Sequence, residues 1–424
     1  MKIAWIGGVG LGGGVGSLGT MLMEAVLQKG IEVDFYGDDA DVADHLKLEK
    51  NLMIISTPAN WSWHKWYSKN PFMAFLTGTY ARVNAYNRQC DKLIRKNRES
   101  KYDCIFQLSQ TELFKLEKYV DELPPIVVYP CVHAAGELFW HQKESQYALQ
   151  SESFVQHYIT RAYLYYRSVV QKQSMRKPSI VIGMSKRFNR LISIDYDISP
   201  TRQAVLYQPM RALDVKLVEI SENLAKERAK IRMLLVARIS VRKGIQYIVE
   251  LSHRLNDLAD EIQIDVIGDR SQWSDYRSHL KDLNPRTAKY LGGMKHEDVS
   301  SAYQNSDILL APSVYEPGGI VVGEALGYGL CVVASDAIGS AEMVQSPCLR
   351  EFVAGDMDGF EQAVRTLVAD LKCDRQGLRQ EARTQSKLHY SPDNMADSLI
   401  TIIERVVPAN HALVHEAVPS LTAL

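Results

Sequence analysis

The sequence has no long apolar segment, no metal-binding cysteine spacing and almost no net charge. The apolar run after Met1 and Lys2 is too short for the core of a signal peptide, and no stretch of about 18 uninterrupted apolar residues could span a bilayer. The six cysteines are scattered without a C-x-x-C pair, which is typical of reduced thiols rather than of disulfides or a zinc site. A net charge of -1 provides no overall field to attract nucleic acid. We therefore expect a cytoplasmic protein without a nucleic-acid partner.

Several catalytic motifs are absent as well. There is no Walker A loop, no H-E-x-x-H and no G-x-S-x-G. Three D-x-D pairs have the form that holds a divalent metal beside a nucleotide, namely Asp39-x-Asp41, Asp195-x-Asp197 and Asp356-x-Asp358. Chance alone produces such pairs at this acid content, and none has the expected strand setting. The sequence therefore predicts no metal site and no essential metal.

Two successive runs of alternating strand and helix patterns organise the chain. The first opens with a strand at 3–7, a glycine-rich turn, a helix near 18–29 and a strand at 31–35. Further strands of this run are predicted at 104–108, 126–130 and 179–184. The order restarts after residue 230, with a helix predicted at 244–258 and strands at 233–237, 262–267, 290–292, 308–312 and 330–334. Two such runs predict an α/β fold with two Rossmann-like domains.

The expected domains follow from these runs. Residues 1–200 form the first domain and residues 201–390 the second, with a linker at 196–209 and a last helix near 394–407 within 391–424. Open α/β sheets bind their ligands at the carboxyl ends of the strands. The loops that follow strands are therefore where chemistry is expected.

The strongest of these loops follows the strand at 308–312. Gly318 and Gly319 lack side chains, so backbone N–H groups at the start of the next helix could approach a diphosphate. Glu316 and Glu324 could offer acceptors to sugar and ribose hydroxyls. The alternative is a glycine turn flanked by two solvated glutamates.

Three further loops also follow predicted strands. Arg238 and Lys243 could neutralise the charge on a leaving diphosphate, or could belong to a solvated basic loop. Gly13 and Gly14 could contact a ligand or only form a tight turn, because a lone glycine fingerprint is weak. His133 could reach the crevice or be structural.

Six segments in order carry a resemblance. Gly13-Gly14 with 30–33 (GIEV) is similar to an opening "GG…G-H-x-V" unit, although Ile31 replaces the usual His. The segment 236–244 is similar to "V-G-R-x-x-x-x-K-G", and 267–269 to "x-G-x-G", with Arg270 where Gly is common. The remaining segments are 291–294 (LGGM), 307–313 (DILLAPS) and the E-x7-E pair of Glu316 and Glu324. Together they resemble glycosyltransferase family 4, the retaining transferases of GT-B fold, over most of the chain.

The resemblance implies the fold and the donor site. It implies two Rossmann-like domains that face a central crevice, with the C-terminal helix returning to the first domain. Glu316 would contact the donor sugar and Glu324 the ribose. Backbone N–H groups of Gly318, Gly319 and Ile320 would bind the phosphates.

The resemblance also assigns roles to residues outside that loop. Arg238 and Lys243 would grip the diphosphate, and Gly268 would belong to the same donor-binding set. Met294 would flank the base through its backbone. Gly13 and Gly14 would close over the phosphate and sugar from the first domain, and His133 would lie near the reacting sugar.

The implied reaction is sugar transfer with retention at the anomeric carbon. The donor would be a nucleotide-diphosphate sugar, with UDP-sugar favoured, and no further cofactor would be needed. No protein nucleophile is evident, so the leaving phosphate oxygen would take the acceptor's proton while the protein positions the reactants and stabilises charge. Arg238 and Lys243 would act in place of a metal.

The acceptor side is less defined by the sequence. Residues 61–101 contain nine Lys/Arg, two acids and several aromatics, and residues 161–190 contain eight Lys/Arg and no acid. Aromatic and basic residues together suit an anionic membrane surface, although buried aromatics beside a solvated basic helix would give the same pattern. We expect a glycan, lipid-linked or small-molecule acceptor, as in polysaccharide biosynthesis, with possible peripheral contact at the inner face of the membrane.

Three other classes stay open. A nucleotide-sugar 2-epimerase of GT-B fold would epimerise the donor alone. An NAD-dependent oxidoreductase would need an acid such as Asp38 or Asp39 after the second strand, and would leave the second half of the chain unexplained. A non-catalytic sugar-nucleotide binding protein has no need of Glu316, Arg238 and Lys243 together.

Overall fold

The computed structural model describes residues 1–10, 13–62, 64–68, 71–108, 115–210, 222, 229–270 and 275–407. Thirteen strands lie in these residues: β1 (Lys2–Ile6), β2 (Glu32–Gly37), β3 (Leu52–Ser56), β4 (Cys104–Leu108), β5 (Ile126–Tyr129), β6 (Ile180–Gly183), β7 (Gln203–Val205), β8 (Ile231–Val236), β9 (Ile262–Ile267), β10 (Ala288–Gly292), β11 (Ile308–Ala311), β12 (Cys331–Ser335) and β13 (Leu349–Phe352). They form two sheets with parallel pairings throughout.

Helices connect these strands in the described part of the chain. They are α1 (Gly13–Gln28), α2 (Pro71–Glu99), α3 (Ala134–Lys143), α4 (Ser145–Ala148), α5 (Phe154–Ser174), α6 (Lys186–Tyr196), α7 (Ile245–Arg254), α8 (His296–Gln304), α9 (Ile320–Gly327), α10 (Met357–His389) and α11 (Pro392–Glu404). None of these described helices combines the length and apolar character needed to cross a bilayer.

Both sheets have the strand order of a doubly wound nucleotide-binding fold. The first has the order β3-β2-β1-β4-β5-β6-β7 and the second β10-β9-β8-β11-β12-β13. In each sheet the order reverses beside the first strand, between β1 and β4 and between β8 and β11. Ligands of such sheets bind at this reversal, beyond the carboxyl ends of the strands. The predicted pair of Rossmann-like sheets is therefore confirmed.

The central strands are buried because their sequences are almost entirely apolar. Every residue of β4 and of β12 is buried, as expected for parallel strands covered by helices on both faces. Each sheet has its own apolar core, one around Trp5 and Phe106 and the other around Leu309.

The last helix returns to the first domain. Met395, Leu399 and Ile403 of α11 belong to the first apolar core. Lys29, just after α1, lies 2.7 Å from Asp397 of α11. The returning helix is thus confirmed, while the tail after residue 407 lies outside the described residues.

The predicted linker at 196–209 is wrong. Tyr196 ends α6, and Gln203–Val205 form β7, which pairs with β6 as the edge strand of the first sheet. This strand has only three residues and is too short to show a periodic pattern. The first sheet thus continues past the predicted boundary at residue 200, and the second sheet begins at Ile231; the exact domain limits stay a prediction.

Candidate functional site

Two loops at the reversal of the second sheet are joined to each other. One follows β8 and carries Arg238, Arg242 and Lys243, and the other follows β11. The backbone N–H of Val314 donates to the carbonyl of Arg242 at 2.9 Å. Gly244, at φ +76°, permits this approach, because a Cβ there would lie 2.0 Å from the carbonyl oxygen of Pro312. The fold thus brings the predicted cationic loop against the predicted glutamate loop.

Lys243 and Glu316 form an ion pair between these loops. The Lys243 Nζ donates to Glu316 Oε2, and both side chains are largely buried. Burial would raise the pKa of Glu316, but the charges of Lys243, Arg242 and Arg238 outweigh it and hold that pKa below its usual range. The pKa of Lys243 is lowered, mainly by burial and further by the positive charges of Arg242 and Arg238. The charge of Glu316 raises this pKa but does not outweigh those effects. The centre is therefore electropositive, with one carboxylate held ionised inside it.

The glycine turn starts α9 but is more crowded than the sequence suggested. Gly319 precedes Ile320 at φ +97°, and a Cβ there would lie 2.5 Å from Cγ2 of Ile338. A Cβ on Gly318 would lie 2.3 Å from Oε1 of Gln208. Gln208 is buried, and its Oε1 has no hydrogen-bond partner among the described residues. Gly318 thus makes room for Gln208, a residue beside the glycine turn that no sequence pattern indicated.

Glu324 lies on the second turn of α9, partly buried. The hydroxyl of Tyr303 donates to its Oε2 at 2.9 Å, and the Tyr303 ring stacks on Tyr328 with centroids 5.3 Å apart. The hydroxyl of Tyr303 therefore fixes the orientation of the Glu324 carboxylate.

His133 links the two domains beside the glutamate loop. It directly precedes α3 and is 1% exposed. Its Nδ1 lies 2.8 Å from the hydroxyl of Tyr315, the residue before Glu316. Its Nε2 lies 2.7 Å from Oδ2 of Asp195 on α6. The contact with His133 lowers the pKa of Asp195.

Asp195 was considered above only as part of a D-x-D pair. The structure separates the pair, since Asp195 contacts His133 whereas Asp197 lies 3.8 Å from Arg176. Asp197 ends α6 in a left-handed conformation. The two carboxylates therefore have different partners.

Further contacts join the domains around this centre. Arg242 lies 3.6 Å from Glu137 on α3. Glu342 of the second domain accepts from the backbone N–H of Lys186 at 2.5 Å and of Arg187 at 3.0 Å, at the start of α6. The Tyr207 hydroxyl also donates to Glu342, at 2.8 Å. A carboxylate at a helix N-terminus is favourable, so these contacts stabilise the approach of the domains.

Three further predicted residues follow strands of the second sheet, at the carboxyl ends of those strands. Arg238 is exposed, and its positive charge lowers the pKa of both Lys243 and Glu316. Gly268, at φ +155°, follows β9, where a Cβ would lie 1.7 Å from the carbonyl oxygen of Ala237. Met294 follows β10 and is 38% exposed.

Gly13 and Gly14 begin α1 after the central strand β1. Among the described residues, no atom outside its chain neighbours and its own helix backbone lies within 4 Å of the position that a Cβ of Gly14 would occupy, and Gly14 is exposed. Asp38, considered for an oxidoreductase, instead accepts from the backbone N–H of Ala40, and Asp39 accepts from Ser56.

Comparison with known proteins finds a family model that matches the second half of the chain. Residues 218–385 match the family model described as "Glycosyl transferases group 1". The GDP-mannose-dependent alpha-mannosyltransferase of Mycolicibacterium smegmatis is 30% identical over 172 residues, which are 41% of this chain and 42% of that protein. The chain spans less than two thirds of the length of the curated relatives it matches.

Solved structures resemble nearly the whole chain. Sucrose-phosphate synthase from Thermosynechococcus elongatus has a TM-score of 0.67 at 17% identity, covering 95% of this chain and 98% of that one. Anabaena HepE in complex with UDP and glucose has a TM-score of 0.60 at 16% identity, covering 95% and 99%. The chain therefore has the GT-B fold, with two Rossmann-like sheets as in these structures, and over residues 218–385 it is similar to the glycosyltransferase group 1 family model.

Proposed function

We propose that the protein is a retaining glycosyltransferase of family 4 that moves a sugar from a nucleotide-diphosphate sugar to a hydroxyl group. The observation that carries this proposal is the buried Lys243–Glu316 pair, flanked by Arg238 and Arg242, at the strand reversal of the second sheet. A cationic centre with one ionised carboxylate suits a diphosphate linked to a polyhydroxylated sugar.

The donor is held by residues of both domains. Lys243 and Arg238 bind the diphosphate, and Glu316 then accepts from a sugar hydroxyl. Glu324, oriented by Tyr303, accepts from the ribose hydroxyls. The N–H groups at the start of α9, from Gly318, Gly319 and Ile320, contribute to the phosphate site.

Four further residues complete the donor site. Met294 flanks the base, and Gly268 allows the turn beside it. Gly13 and Gly14, at the start of α1, let the phosphates approach from the first domain. UDP-sugar is the favoured donor, as in the UDP complex of HepE, and the GDP-mannose of the mannosyltransferase relative is the competing one.

The acceptor hydroxyl attacks the face from which the phosphate leaves. Negative charge grows on the leaving diphosphate, where Lys243 and Arg238 stabilise it without an essential metal. The leaving phosphate oxygen takes the acceptor proton, so no protein base is required. His133, held by Asp195 and Tyr315, positions the reacting sugar.

Donor identity and reaction class are tested together. Adding UDP-, GDP-, ADP- or dTDP-glucose should raise the melting temperature for one base, with UDP expected, because a ligand at 100 times its Kd adds about 2.7 kcal/mol of stability. Slow donor hydrolysis should release nucleoside diphosphate and a sugar whose first-formed anomer retains the donor configuration by NMR. Epimerised sugar nucleotide from donor alone would identify an epimerase, and no shift with any donor would contradict the proposal.

We also propose a lipid-linked acceptor, reached by peripheral membrane contact through α5. This helix exposes Phe154, Tyr158, Tyr165 and Tyr166, and the acid-free basic stretch 161–190 starts within it. Exposed aromatics among cations suit the interface of an anionic bilayer. Residues 61–101 are a second candidate surface, of which Trp63, Lys69 and Asn70 lie outside the described residues.

Vesicle binding tests this contact. The protein should co-sediment with phosphatidylglycerol vesicles and much less with phosphatidylcholine vesicles. The double variant Tyr165→Ser/Tyr166→Ser should lose most of that binding, whereas Leu388→Ser, at an exposed leucine of the second domain, should keep it. Equal binding by both variants would contradict a role for α5.

A further inference from the structure

Three side chains that commonly bind metals converge at the contact between the two domains, outside the donor site. His141 lies near the end of α3, Glu152 in the turn before α5 and His157 in the first turns of α5. One ligand atom from each lies within 4.8 Å of the others. The two imidazole rings stack with centroids 4.4 Å apart.

Two of the three ligand–ligand distances in this cluster are close to those around a tetrahedral ion. Bonds of about 2.0–2.1 Å to nitrogen and oxygen place neighbouring ligands of Zn²⁺ roughly 3.3–3.4 Å apart. Nδ1 of His157 lies 3.1 Å from Oε2 of Glu152, and Nε2 of His141 lies 3.5 Å from the same oxygen. An ion could therefore enter with only small side-chain movements.

The second oxygen of Glu152 is fixed by the other domain. The hydroxyl of Tyr276, a buried residue of the second domain, donates to Glu152 Oε1. The adjacent Ser151 and Ser278 hydroxyls lie 3.0 Å apart across the same contact. Metal-binding carboxylates usually have such a partner, which orients the remaining oxygen toward the ion.

The cluster contains polar atoms whose needs the described residues do not meet. Nδ1 of His141 and Nε2 of His157 are buried without a hydrogen-bond partner among those residues, and Nε2 of His141 has only the 3.5 Å contact with Glu152. The Glu152 side chain is 5% exposed. Tyr276 and His157 contact the two oxygens of this buried carboxylate, and a cation would add a compensating charge.

The ligand atoms of His141, Glu152 and His157 determine which kind of ion suits the cluster. Two imidazoles and one carboxylate suit Zn²⁺ and similar transition metals, whereas Mg²⁺ and Ca²⁺ prefer oxygen ligands. The positive charge of Arg161 acts on His157 and opposes any cation. Binding must therefore depend on metal–nitrogen bonds rather than on charge alone, which again favours Zn²⁺.

We propose that His141, Glu152 and His157 bind one Zn²⁺ ion, with water completing the tetrahedron. Because Tyr276 orients Glu152 only when the two domains are in contact, ion binding and this domain arrangement stabilise each other. No sequence pattern indicates this site, because its ligands do not have the spacing of a known zinc motif.

The test uses the full chain after treatment with a chelator. Calorimetric titration with Zn²⁺ should show one ion per chain, and Co²⁺ should give the visible absorption of a tetrahedral site. Glu152→Gln, which keeps the side-chain shape, and His157→Ala should abolish both signals. Tyr276→Phe should weaken Zn²⁺ binding by about 10- to 100-fold. The exposed His45→Ala variant should bind as the wild type does.

Two results would overturn the proposal. One is the lack of saturable Zn²⁺ binding by the wild type, and the other is unchanged binding by Glu152→Gln. Unchanged affinity in Tyr276→Phe would remove the link to domain contact. Circular dichroism of each metal-free variant reports its folding, and His141→Gln, at the least buried ligand, replaces any variant that does not fold.

Discussion

Replacing Lys243 with alanine is expected to lower kcat by about 100- to 1,000-fold, the usual cost of removing one group that stabilises developing charge. Lys243 pairs with Glu316, so the substitution also leaves a largely buried carboxylate facing the donor phosphates. That carboxylate then repels the diphosphate, and KM for the donor should rise as well. Steady-state rates of nucleoside diphosphate release measure both effects.

Glu316→Gln separates the charge of the pair from its shape. The amide can still contact a sugar hydroxyl, but Lys243 loses its ionised partner. We expect a similarly large loss of kcat, with donor affinity less affected than in Lys243→Ala, because the diphosphate can replace Glu316 as the partner of Lys243. The double variant should lose less than the product of the two single losses, since the residues are in contact.

Lys289→Ala provides the matched control for both variants. Lys289 lies on β10 of the same sheet, half-exposed and 3.5 Å from Asp265. Turnover should stay near normal because Lys289 lies outside the proposed donor site, whereas the melting temperature should fall somewhat because the largely buried Asp265 loses its cation. Near-normal turnover in Lys243→Ala or Glu316→Gln would contradict the site assignment.

The positions of the loops that follow β8 and β11 could be predicted because the sequence signals for them are local. A buried strand followed by a cationic or glycine-rich turn is visible within a few residues, and parallel strands send such turns to one edge of a sheet. The pairing of Lys243 with Glu316 follows from β8 lying beside β11, an order that the doubly wound fold imposes.

The partners of His133 could not be predicted because they are remote in sequence. Tyr315 lies in the other domain, and Asp195 lies on α6, where its spacing to Asp197 suggested a different role. Gln208 and Glu342 are likewise placed by the approach of the two domains. A single sequence holds no periodic signal for such contacts, since they depend on how two separately formed sheets meet.

His133→Ala is expected to lower kcat by about 100-fold, because a shift of about 1 Å in a positioned reactant can cost that much. His133 is almost fully buried between Asp195 and Tyr315, so it would position the reacting sugar indirectly, by fixing Tyr315 and the adjacent Glu316. Asp195→Asn should cost less, about tenfold, because the ring keeps its contact with Tyr315 but loses the carboxylate that fixes its other nitrogen. Single-turnover rates at saturating donor measure the effect on the transfer step.

The double variant decides how Asp195 acts. If Asp195 works through His133, His133→Ala/Asp195→Asn should be no slower than His133→Ala alone, because residues that act as a unit give non-additive losses. Asp197→Asn is the matched control, two residues away and paired only loosely with Arg176. Additive losses would instead mean that Asp195, whose side chain is 42% exposed, contacts the acceptor itself. The site would then extend along α6 in the first domain, on the side where the acceptor must enter.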